Sequence, residues 1–216
     1  IKSIVFIKKE KINLLFSTGG YMSLPLILAG KFLNLKIYLL EPNLVLGKAN
    51  KFFLSSCKKI FCYTKQIKNF PEEYKNKKVI INPLVRNEFY KTKNLKINND
   101  KFHLLVVGGS QGASIFDKNL KKSILNISKK FSIKVIQQTH LNNLSSLKEF
   151  YAKNNVECDI FNYDKNFIDK VAVADLCITR AGATTLAELS TLEVPFIAVP
   201  LPNSKDNHQF ENANFY

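Results

Sequence analysis

Residues 103–120 read HLLVVGGSQGASIFDKNL and contain the pattern that decides the fold. An apolar run stops at two glycines, small polar residues follow, and apolar side chains then recur at helical spacing. A strand, a tight turn and a helix in this order form the first half of a parallel βα unit. The N–H groups and dipole at the start of such a helix favour a phosphate or diphosphate, to which Ser110 adds a hydroxyl donor. A plain tight turn without a ligand is the alternative.

The glycine spacing argues against two common nucleotide-binding motifs. A dinucleotide fingerprint needs G-x-G-x-x-G and an acidic residue at the end of the second strand. Here the turn reads GGSQG, and the next predicted strand, KVIQQT at 134–139, ends without a carboxylate. A P-loop needs G-K-S or G-K-T, which this turn lacks.

Strands alternate with helices along most of the chain, which predicts parallel sheets. Strands are predicted at 14–18, 36–42, 59–64, 78–84, 103–107, 134–139, 157–163, 175–180 and 195–201, and the main helices at 23–34, 47–56, 141–154, 166–174 and 183–192. Residues 86–101 have few apolar side chains and no clean period, so they are predicted to be a linker and domain entry. The sequence therefore predicts two domains, residues 1–85 and 102–216, both incomplete.

The composition is that of a globular protein with a strong positive charge. The net charge is +15, and 46% of the 216 residues are hydrophobic. This charge suits an anionic membrane surface or a nucleic acid, but the lysines are scattered with little aromatic interleaving, which argues against nucleic acid. No apolar run approaches the roughly 18 residues of a spanning helix, and no signal peptide is recognised. The four cysteines form no C-x-x-C pair, which predicts a reduced, cytoplasmic setting without structural metal.

Only two of the 32 basic residues are arginines, Arg86 and Arg180. Where lysine is the default cation, an arginine suggests a site that needs a planar, multidentate donor. Chance substitution is the alternative for each of them.

A second glycine-containing turn lies in TRAGATTLAELS at 179–190. Thr184 and Thr185 fall in the first turn of the predicted helix, with Glu188 one turn further along. They form either a helix cap or part of a ligand site at the same strand edge as Ser110. A carboxylate there would be repelled by phosphate, so Glu188 is expected to accept hydrogen bonds from sugar or ribose hydroxyls.

Three further polar stretches lie at predicted loops. The segment 201–213, LPNSKDNHQFENA, offers His208 and Gln209 as partners for hydroxyl groups. The segment 17–25, STGGYMSLP, repeats the strand, Gly-Gly and helix pattern without a nearby cation. Asn43 follows another predicted strand. Solvated loop chemistry is the alternative for the segment 201–213.

Taken together, six stretches resemble the MurG family of peptidoglycan glycosyltransferases in order and spacing. They read GGYMSLP, EPNLVLGKANKF, NPLVR, VVGGSQGAS, TRAGATTLAE and KDNHQFENA, and they span nearly the whole chain. The resemblance implies an α/β GT-B fold, with two Rossmann-like parallel-sheet domains flanking a cleft. It also implies inverting transfer of N-acetylglucosamine from UDP-GlcNAc to the undecaprenyl-linked acceptor lipid I, which gives lipid II in peptidoglycan biosynthesis.

The resemblance also implies the site residues. UDP-GlcNAc is expected to contact Asn43, Arg86, Gly109, Ser110, Gln111, Gly112, Asp164, Ala183, Thr184, Thr185, Leu186, Ala187, Glu188 and Gln209, and the acceptor Gly19, Gly20, Tyr21 and Ser23. Within this set, Ser110 would touch the diphosphate, Arg86 would neutralise it, and Gln209 would bind sugar hydroxyls. The expected catalytic base lies before Ile1, so no catalytic residue is assigned and the fragment alone is expected to be inactive. No metal or other cofactor is implied.

The resemblance further implies a peripheral enzyme at the cytoplasmic face of the plasma membrane. Its implied partners are UDP-GlcNAc, lipid I, the anionic membrane surface, and the cell-wall and division machinery, without nucleic acid. Three departures from the family pattern bear on the site. The usual Glu-Gln-Asn is Glu41-Pro42-Asn43. NPLVR has one residue more than the usual N-P-V-R, and the expected uracil-contacting stretch F-I-x-x-M is replaced by residues 163–167, YDKNF.

Two other functions compete with this interpretation. A UDP-GlcNAc 2-epimerase shares the fold and the nucleotide but needs catalytic carboxylates across the cleft, and no such pair is recognised. A basic nucleic-acid-binding module is suggested only by the net charge and would bind with a steep salt dependence.

Overall fold

The computed structural model describes residues 1–93 and 100–216, and of residues 110–113 the backbone alone. The chain folds into two compact units. The first contains Ile1–Pro83 and Pro202–Tyr216, and the second contains Leu84–Leu201.

The first unit is built on a parallel sheet of four strands. Its elements up to Pro83 are α1 (Lys2–Lys9), β1 (Leu14–Ser17), α2 (Leu24–Phe32), β2 (Lys36–Glu41), α3 (Lys48–Phe53), β3 (Lys59–Cys62) and β4 (Lys78–Ile80), with short 3-10 turns between some of them. The strands lie in the order β1-β2-β3-β4. Buried side chains such as Leu39 and Ile60 form the core with Phe53 of α3, because helices on the sheet must cover its apolar strands.

Helix α1 is an element that the sequence patterns did not predict. Among its residues Ile7 is the buried one, whereas Val5 and Phe6 stay about half exposed. One buried residue in two turns gives too weak a period to be recognised as an amphipathic helix.

The second unit is built on a parallel sheet of five strands. Its elements are α4 (Asn87–Lys91), β5 (Phe102–Val107), α5 (Gly109–Ser128), β6 (Ile133–Gln138), α6 (Leu144–Lys153), β7 (Glu157–Phe161), α7 (Phe167–Ala172), β8 (Leu176–Thr179), α8 (Ala183–Thr191) and β9 (Phe196–Ala198). The strand order is β7-β6-β5-β8-β9. Strand β5 is central and almost fully buried, as a strand covered on both faces requires. The order reverses between β5 and β8, and ligands bind at such a switch point in open α/β sheets.

The predicted linker contains a helix that the sequence patterns did not reveal. Helix α4 begins directly after Arg86, and its Phe89 is 1% exposed in the core of the second unit. A helix of five residues with one core side chain leaves no detectable period. Residues 94–99 of the predicted linker lie outside the described residues.

The last residues of the chain pack with the first unit, whereas the sequence patterns place them in the second domain. Helix α9 (His208–Phe215) carries Asn212, which is fully buried. The Asn212 Oδ1 accepts the Leu44 N–H at 3.0 Å, and the Asn212 Nδ2 donates to the Asn43 Oδ1 at 3.1 Å. These hydrogen bonds join segments almost 170 residues apart, which local sequence does not specify.

Two properties of the described residues bear on the functional classes. None of their helices combines the length and apolar character needed to cross a bilayer. Within the same residues, no group of three or more His, Cys, Asp and Glu side chains is arranged to hold a metal ion. The four cysteines, all described, are free thiols.

Candidate functional site

Two helices begin at the switch point of the second sheet, and neither is capped by the side chain of its own N-cap residue. Helix α5 follows β5 with Gly108 at its N-cap, and α8 follows β8 with Gly182 at its N-cap. Neither helix has a capping hydrogen bond from the N-cap side chain, which glycine lacks. The first N–H groups of a helix have no partner within it, so these two ends offer donors to an anion.

Of the two interpretations of the second turn, the helix cap is wrong. The N-cap is Gly182, so Thr184 and Thr185 lie inside the first turn, and the Glu188 carboxylate binds Arg86. Thr184 is exposed and Thr185 half-buried. Of the other residues predicted to line the nucleotide sugar here, three are buried, namely Ala183, Leu186 and Ala187.

Arg86 and Glu188, each predicted to contact the donor, form an ion pair with each other. The Arg86 Nε donates to the Glu188 Oε1 at 2.8 Å, and the Arg86 Nη2 donates to the Oε2 at 3.2 Å. The Glu188 side chain is 7% exposed and that of Arg86 47%. Hydrogen bonding to Glu188 raises the pKa of Arg86. The guanidinium also lies over the rings of Phe89 and Phe167, at 4.9 and 5.5 Å from their centroids.

The glycine turn contains a left-handed residue at the start of α5. Gly109 has φ of 64°, a left-handed conformation that favours glycine. Among the described residues, no atom lies within 4 Å of where a Cβ at Gly109 would be. The Gly109 N–H donates to the Gln138 Oε1 at 3.1 Å. The side chains of Ser110 and Gln111, and the environment of Gly112, lie outside the described residues.

Asp164 lies in the loop between β7 and α7, and its side chain is held within the second unit. The carboxylate accepts the Asn166 N–H at 2.8 Å and lies 3.2 Å from the Lys170 Nζ. The Asn166 N–H lowers the pKa of Asp164. Lys170 also pairs with Asp159, so one lysine joins the loop to β7.

Arg180 is a buried cation at the end of β8. It is 7% exposed, and its Nη1 donates to the carbonyl oxygens of Val199 and Pro200 at 3.0 and 3.1 Å. Its guanidinium lies over the Phe116 ring of α5 at 5.0 Å, and its Nε has no partner among the described residues. Burial lowers the pKa of Arg180.

Asn43, in the first unit, is held by a carboxylate that the sequence analysis did not select. Glu41 is 2% exposed and ends β2. It accepts hydrogen bonds from the Asn43 N–H and Nδ2 at 3.2 and 3.1 Å, from the Gly47 N–H at 2.8 Å and from the Asn50 Nδ2 at 2.9 Å. A carboxylate with several backbone and amide donors fixes the loop that carries Asn43. The signal in the sequence was an acidic residue, Glu41, at the end of a predicted strand and just before a loop.

Three of the four predicted acceptor residues, Gly19, Gly20 and Tyr21, border a cavity of about 200 Å³ in the first unit, whereas Ser23 is not on its lining. Gly19 and Gly20 have φ of 81° and 82°, and the Ser23 Oγ donates to the Gly20 carbonyl at 2.8 Å. The Lys205 Nζ lies 2.5 Å from the Tyr21 hydroxyl and lowers the pKa of Tyr21. The full lining is Thr18, Gly19, Gly20, Tyr21, Glu41, Asn43, Val45, Gly47, Lys48, Ala49, Asn50, Lys205, Asp206 and His208.

Gln209 follows this lining at the start of α9. Its N–H donates to the Ser204 Oγ at 3.4 Å, while the His208 Nδ1 lies 2.7 Å from the Lys205 carbonyl oxygen. Gln209 and its partner Ser204 therefore both belong to the first unit.

Comparison with known protein families identifies the family to which both units are similar. The model of the glycosyltransferase family 28 C-terminal domain matches residues 103–215, and that of the family 28 N-terminal domain matches residues 1–62. This chain belongs to glycosyltransferase family 28. The match of the C-terminal domain covers the N-termini of both helices, α5 and α8.

Relatives within family 28 are similar over the whole chain. A UDP-N-acetylglucosamine–N-acetylmuramyl-(pentapeptide) pyrophosphoryl-undecaprenol N-acetylglucosamine transferase from Pelagibacter ubique is 52% identical over 215 residues, which cover 100% of this chain and 60% of that protein. The crystal structure of Acinetobacter baumannii MurG has a TM-score of 0.77 at 25% identity, over 99% of this chain and 60% of that one. The resemblance to MurG and the GT-B fold class are thereby confirmed. The chain spans about 60% of these proteins.

The fold is shared more widely than family 28. A UDP-GlcNAc 2-epimerase from Neisseria meningitidis, in a structure bound to UDP-GlcNAc, has a TM-score of 0.65 at 13% identity over 98% of this chain and 68% of that one. At this identity the likeness concerns the fold alone, so the comparison does not favour the epimerase alternative.

Proposed function

We propose that this chain is part of an inverting glycosyltransferase that moves N-acetylglucosamine from UDP-GlcNAc to lipid I, giving lipid II. The observation that carries the proposal is the pairing of Arg86 with Glu188 of α8, in a unit where α5 and α8 both begin after glycine at the switch point of the sheet. The name of the Pelagibacter relative, 52% identical over the whole chain, describes this transfer.

The donor diphosphate would bind at the start of α5. Backbone N–H groups from Gly109 onward and the helix dipole stabilise negative charge there, and Ser110 adds a hydroxyl. Arg86 supplies the formal positive charge, and a planar guanidinium suits a diphosphate better than an ammonium group does. Glu188 accepts hydrogen bonds from the ribose hydroxyls, and its ion pair with Arg86 lets both residues approach one nucleotide without unbalanced charge.

The chemistry of the transfer follows from these contacts. A base removes the proton from the acceptor hydroxyl, whose oxygen attacks the anomeric carbon of N-acetylglucosamine on the face opposite UDP. The bond between that carbon and the diphosphate oxygen breaks, and the electron pair leaves with UDP. Donors already placed around the diphosphate stabilise the charge that develops on it. We assign no residue of this chain as the base.

The acceptor would bind in the cavity that Gly19, Gly20 and Tyr21 border in the first unit. Lys48 and Lys205 are cations on the lining of this cavity, and a lipid-linked diphosphate needs positive charge. Asn43 lines the same cavity, and Glu41 fixes its position. We propose that this cavity receives the diphosphate of the acceptor.

The first unit would also meet the anionic cytoplasmic surface of the plasma membrane as a peripheral protein. Helices α1 and α2 contact each other and expose Phe6, Leu28 and Phe32. Exposed lysines, Lys2 and Lys31 among them, lie on the same two helices. Exposed apolar side chains beside lysines are the features that bind an interface with anionic lipids.

Calorimetric titration tests the donor site. UDP and UDP-GlcNAc are expected to bind, and ADP to bind more weakly. A folded protein that binds neither uridine nucleotide would overturn the proposal. Incubation with UDP-GlcNAc and lipid I then tests the alternatives: because the chain carries no assigned base, no lipid II should form, whereas conversion of UDP-GlcNAc without an acceptor would support an epimerase. Salt-sensitive DNA binding that UDP does not displace would support the nucleic-acid module.

A further inference from the structure

Gln138 links two loops at the carboxyl edge of the second sheet. It is the last residue of β6, which lies between β5 and β7. Its Oε1 accepts the Gly109 N–H at 3.1 Å, and its Nε2 donates to the Asn162 carbonyl at 3.3 Å. Gly109 begins the proposed diphosphate turn, and Asn162 begins the loop that carries Asp164. One side chain thus contacts both parts of the second unit where the resemblance places UDP.

The Gly109 N–H has a partner in this structure that a diphosphate would replace. It belongs to the first turn of α5, whose N–H groups have no acceptor within the helix. The neutral amide oxygen of Gln138 satisfies it at 3.1 Å. Hydrogen bonds to an ionised oxygen are shorter and stronger than neutral ones, so a phosphate oxygen would compete successfully for this N–H group.

A carboxamide can serve both states because it carries an acceptor and two donors on one planar group. Rotation of the side chain exchanges the positions of Oε1 and Nε2. With the turn empty, the oxygen caps Gly109. With an anion present, the nitrogen can turn from the Asn162 carbonyl towards the anion, at the cost of one weak hydrogen bond of 3.3 Å.

We propose that Gln138 is a binding residue of the donor site. When a uridine nucleotide binds, the Gln138 Oε1 releases the Gly109 N–H to the diphosphate, and the Gln138 Nε2 donates a hydrogen bond to the same diphosphate. This inference rests on the proposed function, since it specifies a contact of the same donor site. It also predicts that diphosphate binding frees the Asn162 carbonyl and thereby couples the diphosphate turn to the loop after β7.

The surrounding hydrogen bonds hold the end of β6 without help from Gln138. The Thr139 N–H donates to the Phe161 carbonyl at 2.8 Å, and the Asn162 Nδ2 donates to the Thr139 carbonyl at 2.9 Å. The preceding Gln137 is fully buried and donates to Asp117 at 2.9 Å. Substitution of Gln138 should therefore leave the strand and the loop in place.

The test titrates UDP and uridine into the wild-type protein, Gln138→Ala, Gln138→Glu and the control Gln66→Glu, with thermal melting of each. Gln66 is exposed in the first unit, so its substitution adds the same charge elsewhere. We expect Gln138→Ala to weaken UDP about tenfold, and Gln138→Glu to weaken it further because a carboxylate cannot donate and repels the diphosphate. Uridine affinity should change less than twofold, as should both affinities in the control.

Each contrary result has a distinct meaning. If Gln138→Ala binds UDP as well as or better than the wild type, Gln138 does not contact the diphosphate and the inference is overturned. Equal losses for UDP and uridine would show a structural role and also overturn it. A wild-type protein that is folded but binds no UDP would overturn the proposed function itself. If Gln138→Glu melts early, the uncharged Gln138→Ala variant still decides the outcome.

Discussion

The guanidinium of Arg86 binds both carboxylate oxygens of Glu188, at 2.8 and 3.2 Å, although the two residues are 102 positions apart in the chain. Arg86 directly precedes α4, and Glu188 lies in the second turn of α8. The carboxylate is almost completely buried, whereas about half of the arginine side chain is exposed. The pair therefore leaves the guanidinium of Arg86 accessible to solvent, while its bond to the buried carboxylate of Glu188 holds it in place. The proposed nucleotide site needs such an accessible cation for the diphosphate.

The first prediction concerns the geometry of Arg86. Arg86→Lys keeps the charge but loses the planar group that binds Glu188 at two points and suits a diphosphate. We expect UDP binding to weaken by about 1–3 kcal/mol, the usual value of a charge-assisted contact. Calorimetry measures the change, with Lys153→Arg at the C-terminal end of α6 as a control that exchanges one cation for the other on an exposed surface. Unchanged affinity would show that Arg86 has no part in donor binding.

The second prediction concerns Glu41, whose carboxylate accepts four hydrogen bonds. Each carboxylate oxygen of Glu41 accepts two of these bonds. Glu41→Gln replaces one of the two oxygens by an NH₂ group, so at least one buried donor loses its acceptor. We expect the free energy of unfolding to fall by about 1–3 kcal/mol. Chemical denaturation measures this fall, with Glu72→Gln, an exposed acid of the same unit, as the control. Equal stability of the two variants would argue against a structural role of Glu41.

The third prediction concerns Asp164 and pH. The Asn166 N–H lowers the pKa of this carboxyl in the folded state, so its ionised form stabilises the protein above its unfolded pKa of about 3.9. That contribution is lost as the pH falls through the lower, folded pKa. The melting temperatures of the wild type and Asp164→Asn should differ at pH 6, and the difference should shrink as the pH falls from about 4 through the lower, folded pKa. A difference that stays constant as the pH falls would contradict this assignment.

The fourth prediction concerns the buried thiols. Burial raises the pKa of Cys62 to about 12, and it also raises the pKa of Cys57 and Cys177. At pH 8 these groups are neutral thiols, and the thiolate is the reactive form. A thiol reagent at pH 8 should therefore modify Cys57, Cys62 and Cys177 only after addition of denaturant. Rapid modification of the folded protein at these positions, located by mass spectrometry, would disprove it.

Much of the fold could be predicted because its signals are local. Apolar runs ending at glycine turns identified β1, β5 and β8, and parallel sheets followed from the alternation of strands and helices. The elements that were missed, α1 and α4, each bury a single large side chain, Ile7 or Phe89. A helix that packs through one residue leaves almost no periodic pattern in the sequence.

The sequence by itself determined which residue types lie at the ends of the parallel strands, because turns, glycine conformations and apolar periodicity are properties of neighbouring residues. Only the tertiary structure decided which of these residues touch. Arg86 meets Glu188, the Gln138 amide meets Gly109, and Asn212 of the last helix meets the loop after β2. These contacts join positions 29 to 168 residues apart. Their partners are set by strand order and by the burial of polar groups that must find hydrogen bonds, which no local pattern encodes.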